Sequence, residues 1–139
     1  MEQREIGYLI KQVSDRLRSD GDAKLKKHGL TFSQVRVMEF VAMSGGRVTQ
    51  KEIEEHLGVS HPTVVGLVAR LEKSGFLACC IDEEDRRNKL VSETAEAAKT
   101  GACMRRERRR MEERLVRGFS EEEKAVLADM LVRLYRNID

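Results

Sequence analysis

The sequence has no tryptophan, one proline and three cysteines, and aromatic residues fill only 4% of its 139 positions. Each scarcity excludes something. So little proline beside 40% hydrophobic residues is not the composition of a disordered chain. The odd set Cys79, Cys80 and Cys103 makes no disulfide framework and fits a reducing, cytoplasmic setting. Adjacent Cys79 and Cys80 lack the two-residue spacer of zinc sites, and His28, His56 and His61 lie far from them, so neither a metal nor a cofactor is expected. No apolar run approaches the ~20 residues that cross a bilayer, and no membrane partner is expected. Met1-Glu2-Gln3-Arg4-Glu5 is too charged to begin a signal peptide. There is no phosphate loop and no Ser/His/Asp set near one element. Glu83-Glu84-Asp85 falls in a polar stretch, a poor place to activate a carboxylate. No enzyme is expected.

Charged residues are abundant: 26 Lys and Arg against 24 Asp and Glu, a net +2. Such a balance argues against a basic protein that coats nucleic acid, so the distribution matters more than the sum. The densest cluster is Arg105-Arg106-Glu107-Arg108-Arg109-Arg110. A run of six wraps more than one helical turn, so these arginines cannot all face one partner, and a solvated helix face is the simpler reading.

Helical periodicity dominates the chain. Ile6, Leu9, Ile10, Val13 and Leu17 mark an amphipathic first helix that ends by His28-Gly29. A second begins at Leu30-Thr31-Phe32-Ser33, capped by Ser33 or Thr31, with Val35, Met38, Val41 and Ala42 inward. Thr49 with Glu52 three residues on has the form of a capping box and opens a third, with Ile53 and Leu57 inward. Gly58-Val59 is a tight turn. Ser60 caps a fourth helix, with Pro62 in its first turn and Val64, Leu67, Val68 and Leu71 as its buried stripe. Phe76 to Ile81, a polar tip from Asp82 to Asn88, and Lys89 to Ser92 read as a β-hairpin. A helix follows from Thr94, with Met104, Met111 and Leu115 on one side. Ser120 and Glu123 cap the last, which carries Leu127, Leu131, Leu134 and Ile138. The fold class is mainly α with a small β-hairpin.

Helix, glycine turn, helix and hairpin in that order form a winged helix-turn-helix. The fourth helix offers its N-terminal end to a DNA major groove. Ser60, His61, Pro62 and Thr63 lie at that end. Val65 and Gly66 fall between the buried positions and face outward, where a valine suits a thymine methyl. Arg70 lies further along, and Arg86 and Arg87 at the wing tip suit a narrow minor groove. The alternative is structural: Ser60 only a cap, His61 only exposed, Asp85 and Arg87 paired to shape the hairpin.

The chain resembles the MarR family of transcription regulators over nearly its whole length. The resemblance rests on Leu30-Thr31, Thr49 to Ile53, Leu57-Gly58-Val59-Ser60, Thr63-Val64, Leu71 to Leu77 and the Asp-x-Arg wing signature Asp85-Arg86-Arg87. Pro62-Thr63-Val64 most resembles the multidrug-efflux repressors. Two departures stand out: Glu93-Thr94 with Ala97 where Leu-Thr and a later glycine are common, and Gly66 where many relatives carry a polar or basic residue. The resemblance implies a single domain over 1–139. Residues 1–29 and 94–139 would dimerise, through Ile6, Leu9, Val13, Leu127, Leu131, Leu134 and Ile138, and residues 30–93 would bind DNA. It implies a homodimer on a palindromic double-stranded operator, released by a small aromatic or cationic ligand. Tyr8, Phe32, Met38, Phe40 and Met43 are candidates for the ligand pocket, with ordinary core packing as the alternative. Two other readings remain at this point: thiol-based redox regulation through Cys79, Cys80 or Cys103, and a winged helix used only for protein contacts.

Overall fold

A computed structural model describes residues 4–138. Among them the order is α1 (Ile6–Lys27), α2 (Phe32–Met43), β1 (Arg47–Thr49), α3 (Gln50–Leu57), α4 (His61–Lys73), β2 (Leu77–Ile81), β3 (Lys89–Glu93), α5 (Ala95–Leu115) and α6 (Glu121–Arg136). The chain divides into two compact units, residues 1–101 and 102–139, with the boundary inside α5.

Polar side chains at the helix starts fix most of the boundaries in the first unit. Thr49 Oγ1 accepts from the Glu52 N–H at 3.1 Å, and Glu52 Oε1 accepts in return from the Thr49 N–H at 3.2 Å. Four N–H groups at each helix start lack partners within the helix, and this reciprocal pair satisfies two of them. At α2 the cap is Thr31 rather than Ser33. Gln34 stands three residues after Thr31 and returns its hydrogen bond at 2.9 Å. Three residues after Ser33 is Arg36, which carries no acceptor. Thr94 caps α5 by accepting from the Ala97 N–H at 3.1 Å, and its hydroxyl also donates to the Gly75 carbonyl at 2.7 Å.

The hairpin expected from sequence is present, and it belongs to a larger sheet. β3 lies between β2 and β1, antiparallel to both. Val91 pairs with Cys79 on one side and Val48 on the other, and both valines are buried. β1 is thus an element that the alternation of residues did not announce. It covers the hairpin edge that would otherwise be bare.

The core joins α2, α3 and α4 to the sheet. Val37, Val41, Ile53, Val64, Val68, Leu71 and Val91 are fully enclosed. Each such side chain contributes about 1.5–3 kcal/mol by leaving water. α2 buries Val37 in addition to Val35, Met38 and Val41, while Ala42 is only half-buried. The extra buried position follows from its surroundings, since α2 packs on α3, α4, β1 and β3 rather than on one neighbour.

Two helices contrast with this core. α1 has no buried residue along its 22 positions, and Ile6, Leu9, Ile10 and Val13 are exposed. In the second unit, α6 is capped by the reciprocal pair Ser120–Glu123 and also buries nothing. Leu127, Leu131 and Ile138 are exposed there, with Leu134 half-buried.

Candidate nucleic-acid interface

The turn between α3 and α4 sets the geometry. Gly58 ends α3 with φ 65° and ψ 29°, a left-handed conformation that strains any residue with a Cβ. The reversal lets Val59 and Ser60 lead directly into α4. The Ser60 Oγ caps it, meeting the Thr63 hydroxyl at 2.8 Å and the Thr63 N–H at 3.4 Å. Val64, Leu67, Val68 and Leu71 anchor α4 in the core.

The positions between those anchors face outward, as the sequence predicts. Ser60, His61, Pro62, Thr63, Val65 and Arg70 are exposed, and Gly66 is half-exposed. Val65 is 41% exposed, so its methyl groups are open to a partner. A Cβ built on Gly66 meets no atom within 4 Å, so nothing inside the protein requires glycine there.

Two carboxylates hold the wing tip: Asp82 Oδ1 accepts from the Glu84 N–H at 3.0 Å, and Asp85 makes the larger set. Asp85 Oδ1 accepts from the Arg87 N–H at 3.1 Å and from Arg87 Nε at 3.2 Å, while Oδ2 accepts from Asn88 Nδ2 at 3.4 Å. The Asn88 N–H also donates to the Asp85 carbonyl at 2.9 Å. The Asp85–Arg87 pairing considered as a structural alternative is therefore present. It does not consume the arginine: Nε makes the contact, and the side chain is 91% exposed. Asp85 shapes the loop and Arg87 still extends from it, beside exposed Arg86.

The two wing cysteines differ, as neighbours on a strand must. Cys79 is half-buried and Cys80 exposed. Burial, reinforced by a hydrogen bond with Glu72, pushes the Cys79 thiol up to about 11. Cys80 lies 3.9 Å from Nη2 of Arg47 on β1. With Glu72 and residues 86–89 the cysteines line an open depression between α4 and the wing. In the second unit, Cys103 is half-buried, 3.6 Å from Glu107 Oε1.

Two residues on this face were absent from the sequence reading. One is Arg47, brought to the sheet by β1. The other is Glu54, whose Oε1 is hydrogen-bonded to Nδ1 of His61. The two are seven residues apart across the Gly58 turn, a spacing that no single helix would bring together.

The five residues considered for a ligand wall lie in different settings. Met38 is in the core. Phe40 stacks on His56 of α3, with ring centroids 4.1 Å apart. Phe32 and Met43 are exposed at opposite ends of α2, and Tyr8 is exposed on α1 with its hydroxyl accepting from Gln12.

Residues 28–88 match the model of the MarR family. The chain is 32% identical over 127 residues to the HTH-type transcriptional regulator YwoH of Bacillus subtilis (strain 168), covering 91% of each. It is similar in structure to S. aureus MepR in complex with DNA, with TM-score 0.83 and 25% identity over 96% of this chain and 99% of that one. It also shares the fold of MepR described as a transcription regulator of the Staphylococcus aureus multidrug efflux pump MepA, with TM-score 0.83 and 24% identity over 97% and 99% of the two chains. The fold is thus shared along almost the full length, and the chain belongs to the MarR family of transcription regulators.

Proposed function

We propose that the chain is one protomer of a homodimeric regulator that binds double-stranded DNA, with α4 in the major groove and the wing against the adjoining minor groove. The observation that carries this is the outward face of α4. Ser60, His61, Pro62, Thr63 and Val65 are all exposed there while Val64, Leu67 and Val68 lock the helix to the core. The structural likeness to MepR bound to DNA supports the same use of the same elements. Arg86 and Arg87 supply the minor-groove cations, and Arg70 a further positive group along α4. A dimer would carry two such helices to a palindrome with half-sites about 34 Å apart, one turn of DNA.

Dimerisation is supported separately in each unit. Ile6, Leu9 and Val13 on α1, and Leu127 and Leu131 on α6 with Ile138 just after it, leave apolar stripes in water. A second copy would cover them, with Leu134 among them. Release by a small aromatic or cationic ligand rests on the family and on the likeness to an efflux-pump regulator. A ligand of this kind acts only if it binds the free dimer more tightly than the DNA-bound one.

The test is a gel shift with DNA from upstream of the chain's own gene. A discrete complex that survives excess unrelated DNA supports the reading. Equal displacement by unrelated DNA refutes sequence-specific regulation, and no complex at low salt refutes DNA binding. Adding tetraphenylphosphonium, an aromatic cation, to the preformed complex tests release by that ligand class.

A further inference from the structure

The Glu54–His61 pair stands out on the α4 face because a carboxylate there is electrostatically out of place. A DNA-facing surface gains by cations and loses by anions near the phosphates. Yet Glu54 projects from α3 to the first residue of α4. Its side chain is only 20% exposed, while the His61 side chain is 67% exposed. The carboxylate is tucked behind the imidazole and the imidazole is in front. Glu54 is the polar partner that the described residues provide for this ring.

The chemistry of the pair settles which atom looks outward. A carboxylate oxygen facing a ring nitrogen acts as the acceptor, so in this pairing Nδ1 of His61 is the donor. With Nδ1 committed, Nε2 is the remaining polar atom of the ring. A second hydrogen on Nε2 makes the ring a cation, with Glu54 as counter-charge on the inner side. The same arrangement, in which a carboxylate holds one ring nitrogen and so orients the other, is how histidine ligands and bases are aimed elsewhere. The nearest charged side chain further along α4 is Arg70, nine residues on and about 13 Å along the axis.

Resting on the DNA-binding reading above, we propose that Glu54 is a positioning residue: it holds Nδ1 of His61 and so aims Nε2 at the DNA backbone, where the ring takes up a second proton from solvent as it binds and Nε2–H donates to a phosphate oxygen. His61 makes the contact and Glu54 acts only through it. The requirement is local to this chain's pairing of glutamate and histidine across the Gly58 turn.

The experiment is a double-mutant cycle on the full-length dimer, read by fluorescence anisotropy with a labelled duplex from upstream of the chain's gene and a scrambled duplex of equal length. His61→Ala should weaken binding to both duplexes by about the same factor, near tenfold, and lower the salt slope by about 2 for the two protomers. Glu54→Ala should weaken binding by a comparable factor, and should have no further effect in the His61→Ala background. Glu54→Gln, which keeps an acceptor for the Nδ1–H, should recover most of the affinity. Simple removal of a negative charge predicts the opposite sign, tighter binding for Glu54→Ala, and that result would overturn the proposal. So would equal losses from Glu54→Ala with and without His61, or a loss from His61→Ala confined to the cognate duplex, which would mean base contact. Nitrogen-15 spectra of the His61 ring give a readout independent of DNA: the proton on Nδ1 should be present in the wild type and lost from its fixed position in Glu54→Ala. A wild-type dimer that binds neither duplex would refute the DNA-binding reading itself, whereas binding with an inert Glu54 would refute only the positioning role.

Discussion

Two glycines in the helix-turn-helix should respond to the same substitution with opposite signs. Gly58 has φ 65°, in the left-handed region, whereas Gly66 sits inside α4 with ordinary helical backbone. Neither has an atom within 4 Å of an added Cβ, so clashes contribute nothing at either position and backbone preference alone decides. At Gly58 an alanine is strained by about 1–2 kcal/mol. The stiffer unfolded chain returns about 0.4–1 kcal/mol, leaving Gly58→Ala destabilised by roughly 1 kcal/mol. At Gly66 the alanine suits the helix and stabilises by about 0.8–1 kcal/mol. Urea unfolding of both variants at one fixed protomer concentration measures the difference, about 2 kcal/mol between them with unchanged m-values. Two variants of equal stability, or Gly58→Ala more stable than Gly66→Ala, would refute the account of the turn. DNA binding adds a second reading of the same pair. If α4 lies in the groove, the methyl group added by Gly66→Ala meets DNA and changes affinity, although it strengthens the fold.

Other consequences follow from the wing. Asp85→Ala removes the acceptor of three hydrogen bonds at the tip, and should weaken DNA binding although it deletes a negative charge; tighter binding, measured by anisotropy, would show that Arg87 needs no support. Iodoacetamide at pH 8 should label Cys80 ahead of Cys79, as followed by mass spectrometry in Cys79→Ser and Cys80→Ser variants. Cys79 is pushed up from 9.0 to about 11, so its thiol stays protonated there. The same shift has a sign for stability: the half-buried neutral thiol favours the fold below pH 9, and that contribution fades as pH climbs toward 11. Peroxide that leaves operator binding unchanged would dispose of thiol-based regulation.

Much of the fold was legible because its helix boundaries are written in short polar signals. Thr49 with Glu52, Ser60 with Pro62, and Ser120 with Glu123 each name a helix start by side-chain chemistry that acts within four residues. The hairpin was legible for a similar reason, two apolar runs around a polar tip. What the reading missed depends on partners distant in sequence. β1 has three residues and one buried side chain, and becomes a strand only because β3 lies more than 40 positions later. Val37 was not among the residues expected inward, and it is buried because α2 has neighbours on several sides. Glu54 and His61 belong to different helices, and their contact exists only because Gly58 folds one helix back on the other. The aromatic and methionine residues of α2 differ in placement in a way their types do not reveal: Met38 is buried, while Phe32 and Met43 are exposed.

The central claim is that this winged helix-turn-helix binds DNA through α4 and the wing as a dimer. Anisotropy titrations with the upstream duplex across ~50 to 200 mM salt test it most directly, because each phosphate contact adds about 0.9 to the slope of log affinity against log salt. The account predicts a steep decline for the wild type, and a shallower one, displaced to weaker binding, when Arg86 and Arg87 are both changed to alanine. Affinity that is flat across that range, or identical slopes for the wild type and the double variant, would contradict it.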